Sequence, residues 1–142
     1  MDAMTFLRER VALFNGVNDE NMVALAHASE LISFKAGQTI LFKGATVDGL
    51  HVVVAGEAGV YVKSTNKTMV RVATLGSGEV FGEMSVVEMG TAGATIKAEQ
   101  DSMILVIPQS AFRHVLQQDE GFAVRVNMLI VSRRSAPTSV PA

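Results

Sequence analysis

The chain has 142 residues, enough for one domain, and its 49% hydrophobic and 18% charged content argues against disorder over most of its length. A formal net charge of -2 and a single basic doublet, Arg133-Arg134, argue against a nucleic-acid-binding surface. Zero cysteines exclude disulfides and thiolate metal sites. No apolar leader and no run near the roughly 18–20 apolar residues that span a bilayer are present, so a cytoplasmic protein without a membrane partner is expected.

Two short helices open the chain. In "MTFLRERVALF", residues 4–14, Phe6, Val11 and Phe14 fall near one face. "NDENMVALAHA" begins with Asn18 as the N-cap, and Asp19 and Glu20 follow in the first turn, where they complement the helix dipole.

From Leu31 to Pro108 the period changes to two. The runs "LISFK", "QTILFK", "LHVVVA", "AGVYVK", "MVRVATL", "ATIKAEQ" and "SMILVIP" are short and each carries β-branched residues, with glycines 37, 44, 49, 56, 76, 78 and 82 between them or at their ends. Such spacing implies a sandwich or barrel. "KSTNKT", residues 63–68, reads as an exposed hairpin tip.

After Pro108 the helical period returns. "PQSAFRHVLQQ" presents Phe112, Val115 and Leu116 on one face, and "DEGFAVRVNMLIVSRR" begins at Asp119 as a cap and ends on the Arg pair, favoured there by the helix dipole. "SAPTSVPA" has the composition of a disordered tail, which gives one domain over 1–134 and a tail over 135–142. No internal repeat is visible.

Two stretches, "AGQTILFKGATVDGLHVVVAGEAGVYV" (36–62) and "LGSGEVFGEMSVVEMGTAGATIKA" (75–98), carry a resemblance once they are set in this order of elements. With turn glycines at Gly44 and Gly56 and a Phe-Gly-Glu step at Phe81–Glu83, the chain resembles the cyclic-nucleotide-binding domain family over about residues 10–131. The resemblance implies a mainly β fold with flanking helices, an eight-stranded jelly-roll β-barrel. It also implies a regulatory module without catalytic residues or cofactor, with cAMP or cGMP as ligand.

In that frame the loop after Phe81 is a ligand cassette. Backbone N–H groups at the start of a short helix make an anion site, so Gly82 would let the backbone approach a phosphate while the N–H groups of Met84 and Ser85 face it. Glu83 would accept a hydrogen bond from a ribose 2′-hydroxyl. Taken singly, these residues have plainer roles: a turn glycine, a solvated glutamate or a structural brace of the loop's own backbone, and a serine cap for "VVEM".

The cassette lacks its cation. In the family an arginine that pairs with the cyclic phosphate stands three residues before the Thr of the closing strand, and counting back from Thr95 reaches Ala92. Between Val72 and Ile96 there is no Lys or Arg, whereas Glu79, Glu83 and Glu88 are acidic. The loss of such a contact implies affinity lowered about 10- to 3,000-fold. Arg71 and Lys97, on the flanking strands, are the candidate replacements, against the plainer reading that both face outward. Ala92, Gly93 and Ala94 form a small, neutral wall that would also suit another ligand, and Gly93 offers no side-chain hydroxyl to a guanine.

In the resembling family the last helix transmits occupancy, as a lid over the base or as a dimer seam. Phe122, Val126, Leu129 and Ile130 form the candidate stripe, which would pack either on a second copy or on the chain's own roll. No basic recognition helix follows Arg134, so direct DNA binding is not expected and a signal would pass to a second copy or a separate effector. A nucleotide-independent docking or dimerisation unit is the alternative function. A jelly-roll metalloenzyme is disfavoured because His27, His51 and His114 lie far apart, and no Ser sits in a nucleophile turn.

Overall fold

The computed structural model describes residues 2–83 and 90–135, the side chains of Arg134 and Ser135 excepted. The chain opens with α1 (Ala3–Arg10), capped by the Asp2 carboxylate, which accepts from the Thr5 N–H at 2.8 Å. The helix expected over 4–14 stops early, because Val11 is extended and the chain continues as a 3-10 turn over Ala12–Phe14. Val11 and Phe14 still reach the core with Phe6. Helix α2 (Asp19–Ala28) starts at the expected cap, Asn18, whose side chain accepts from the Asn21 N–H at 2.8 Å.

Eight strands follow: β1 (Glu30–Phe34), β2 (Thr39–Leu41), β3 (Gly49–Ala55), β4 (Ala58–Lys63), β5 (Met69–Leu75), β6 (Val80–Phe81), β7 (Thr95–Ala98) and β8 (Ser102–Pro108). They form two four-stranded sheets, in the orders β1-β8-β3-β6 and β2-β7-β4-β5, with every pairing antiparallel. This is the mainly β jelly roll with flanking helices that the sequence implies. Strand β6 has no counterpart among the runs read from sequence, since two residues are too short to show a period. It matters because it carries Phe81 into pairing with His51 of β3 and so fixes where the cassette begins.

The two sheets enclose Leu50, Val52, Val60, Phe81, Ile96, Ile104 and Ile107, all fully buried. Each such side chain contributes roughly 1.5–3 kcal/mol relative to exposure. Gly56 closes the β3–β4 turn at φ +90°, and a Cβ there would lie 2.2 Å from Ser102 Oγ and 2.6 Å from the Asp101 carbonyl oxygen. Gly56→Ala is therefore expected to destabilise by roughly 1–3 kcal/mol from backbone strain and overpacking, a loss that urea unfolding would register.

Two helices close the fold, α3 (Gln109–Gln118) and α4 (Glu120–Ser135). Asp119 caps α4 as expected, its carboxylate accepting from the Phe122 N–H at 3.0 Å. Phe122 stacks on Phe14 of the 3-10 turn at 5.4 Å and meets Phe112 of α3 edge-on at 5.5 Å. These contacts pin the start of α4 across the N-terminal segment, which aims the far end of the helix at the cassette. Ser135 is the last helical residue, and the rest of the expected tail lies outside the described residues.

Candidate ligand site and its link to the closing helix

The cassette begins on a rigid floor. Gly82 has φ +87°, and the space a side chain would need is bounded by Val47 Cγ1 at 3.1 Å and the Gly49 carbonyl oxygen at 3.2 Å. Its glycine is thus required by backbone conformation and by close packing on β3. His51 stacks on Phe81 with ring centroids 4.9 Å apart, and its Nδ1 lies 3.0 Å from the Gly49 carbonyl oxygen. Because that carbonyl only accepts, Nδ1 carries the proton. Burial pushes the His51 imidazole below its ordinary range, consistent with a neutral ring beneath the loop.

Glu83 does not point to solvent. It is fully buried, and its Oε1 accepts from Arg133 Nη1 at 2.7 Å, while Arg133 Nη2 donates to the Val80 carbonyl oxygen at 2.6 Å. The Arg133 side chain is only 13% exposed, so the pair is shielded on both sides. Burial pushes the Glu83 carboxyl above the ordinary carboxylate range, and Arg133 and a backbone N–H pull it back in part. The second oxygen, Oε2, is buried without a hydrogen-bond partner. A buried acceptor in that condition is costly and open to a donor.

A cation therefore does reach the cassette, from the end of α4. Sequence reading placed Arg133 at a dipole-favoured helix terminus and missed this role. The signal was in its spacing: Phe122, Val126 and Ile130 are buried in the chain's own core, and Arg133 continues that face three residues on. Leu129 packs beside them partly buried, so the stripe is used by its own roll. The apolar positions left outward on α4 are Val124, Met128 and Val131.

The other candidate residues separate into two groups. Ala92 and Ala94 are buried, and Ala92 is braced at both backbone groups, its N–H donating to the Ala45 carbonyl at 2.9 Å and its carbonyl accepting from the Gly44 N–H at 2.8 Å. Gly93 between them is half-buried. Met84 and Ser85 lie outside the described residues. Arg71 and Lys97 are engaged elsewhere: Arg71 Nη1 lies 3.5 Å from Glu99 Oε1, which also accepts from the Tyr61 hydroxyl, and Lys97 Nζ sits 5.4 Å from the centre of the Tyr61 ring. Val60 and Ile96 alternate with Tyr61 and Lys97 and face the core, so both cations belong to the outer face of the second sheet. No group of three or more metal-ligating side chains occurs among the described residues. No helix among them is long and apolar enough to cross a membrane.

A jelly roll interrupted by a Phe-Gly-Glu loop and closed by two helices defines a class, and the comparisons agree on it. The family model for the cyclic nucleotide-binding domain matches residues 31–119, and the chain belongs to that family. Lysophospholipase nte1 of Aspergillus terreus is 31% identical over 106 residues, which are 75% of this chain and 7% of that protein's length. Among solved structures, the catabolite activator protein of Thermus thermophilus matches with a TM-score of 0.76 at 24% identity, covering 86% of this chain and 57% of that one. The regulatory subunit of a cAMP-independent protein kinase A from Trypanosoma brucei matches with a TM-score of 0.79 at 18% identity, covering 95% and 47%. A variant of that subunit with three substitutions, one introducing an arginine, is bound to cAMP in its A site.

Proposed function

We propose that this domain is a regulatory sensor that binds cAMP or cGMP weakly through the Phe81–Glu83 cassette and reports occupancy through α4. The observation that carries the reading is the division of labour at Glu83. Oε1 holds Arg133 of the closing helix, and Oε2, buried and without a partner, is the free acceptor that a ribose 2′-hydroxyl would satisfy. A hydroxyl bound there orders the carboxylate and with it the ion pair, so ligand binding and docking of α4 favour each other. Affinity is low because Ala92 leaves the phosphate without a guanidinium. Output passes to a second copy or a separate effector over the outward positions Val124, Met128 and Val131.

Isothermal titration with cAMP, cGMP and 2′-deoxy-cAMP tests the reading. Weak saturable binding of a ribonucleotide, lost with the 2′-deoxy compound, supports it. Equal binding of the deoxy compound removes Glu83 from ligand recognition.

A nucleotide-independent docking module is the second reading, favoured by an alanine at position 92 and by a cassette already braced from within by Arg133. No binding of any of the three nucleotides at millimolar concentration would select it.

A further inference from the structure

A cavity lies between the N-terminal 3-10 turn, the turn leading into β6, and α4. Its volume is about 400 Å³, within the usual range for small-ligand sites, and it is open on one side. The walls include Leu13, Val80, Met128 and Leu129, with Arg125 and Arg133 as the cations and Glu79, whose Oε1 accepts from the Gly76 N–H at 3.0 Å, as a carboxylate in the lining. The two arginines differ. Arg133 is satisfied by Glu83 and the Val80 carbonyl. Arg125 donates through Nε to the Leu13 carbonyl at 2.9 Å and lies 6.0 Å from the Phe122 ring centre, yet its Nη2 is buried with no hydrogen-bond partner and it pairs with no carboxylate among the described residues.

We infer that this cavity binds an amphipathic anion, a single apolar chain ending in one carboxylate-like headgroup, with the headgroup on Arg125 and the chain between Leu13 and Met128. The chemistry is set by the mismatch between the mostly apolar walls and the unpaired guanidinium. Between mostly apolar walls and beside the Glu79 carboxylate, a small hydrophilic anion such as inorganic phosphate gains a charged contact but buries no chain, and an uncharged hydrocarbon leaves the guanidinium uncompensated where its desolvation is expensive. A chain with a terminal anion answers both. Such a ligand touches the N-terminal turn and α4 at once, so it clamps the helix that carries Arg133. Binding here requires no nucleotide in the cassette, so the inference stands if the cassette proves empty.

The test uses the whole chain, with sodium decanoate as probe below its micelle-forming concentration and decanol, acetate and inorganic phosphate as controls. Binding is followed through the methyl signals of Met128 and Leu13. Saturable shifts with decanoate are expected, with affinity at least about tenfold above decanol and no effect of acetate or phosphate at equal concentration. Arg125→Gln is expected to remove that charge preference. Because Arg125 also braces Leu13, a second variant is needed: Ala12→Trp fills the cavity from an exposed position on its rim and is expected to abolish binding while the chain stays folded. Absence of saturation, equal affinity for decanol, unchanged binding by Ala12→Trp, or competition by cAMP for the same signals would each overturn the inference.

Discussion

Arg133→Ala is expected to destabilise the domain by about 3–5 kcal/mol at neutral pH, since it strands a buried carboxylate without its partner. Glu83 is fully buried and has no second cation among the described residues to turn to. The loss carries a pH signature. The Glu83 carboxyl is already raised by burial, so the stability this group confers is full below the ordinary glutamate pKa, about 4.3, and is lost as pH rises through the higher folded value. Removing Arg133 takes away a force that lowers that value, which moves the folded pKa further up. The deficit of Arg133→Ala against the parent should therefore shrink as the pH is lowered toward the acidic range. Urea unfolding of both proteins at neutral and mildly acidic pH measures it. A double change to apolar residues, Arg133→Met with Glu83→Leu, is expected to recover most of the loss, because no charge is then left buried. A deficit below about 1 kcal/mol, unchanged with pH, would mean that the pair behaves as a solvated surface bridge.

Ala92→Arg is expected to raise affinity for cAMP about 10- to 3,000-fold, by restoring a charge-assisted contact to the phosphate. The backbone at Ala92 is held by bonds to Ala45 and Gly44 that do not involve the side chain, so the substitution keeps the position of this wall. The side chain itself must leave a buried position. Without nucleotide the variant is expected to lose about 1–3 kcal/mol from overpacking, and saturating nucleotide should recover it. Calorimetric titration of both proteins gives the ratio. Equal, weak affinities would place the phosphate away from residue 92.

What the sequence made legible follows from how local each signal is. The roll was readable because β-branched runs and turn glycines recur at short spacing, and Asn18 and Asp119 declared their helices through caps that bond three residues on. The break at Val11 was hidden, since Phe6, Val11 and Phe14 all reach the core whether the segment is one helix or a helix and a 3-10 turn. At the cassette, Gly82 and Glu83 were marked by the family step. Arg133 was not, because its partner lies 50 residues earlier and only the fold of α4 over the roll brings them together. A helix-end arginine has a sufficient local explanation in the dipole. That explanation concealed the long-range one.

Glu83 joins the cassette to α4 through Arg133. Amide hydrogen exchange across α4, with and without millimolar cAMP, in the parent and in Arg133→Met, tests it most directly. In the parent, cAMP is expected to slow exchange in the second half of α4, and in Arg133→Met that slowing is expected to vanish even with enough nucleotide to keep the site filled. Protection confined to the cassette strands, with α4 exchanging at the same rate in every case, would contradict it.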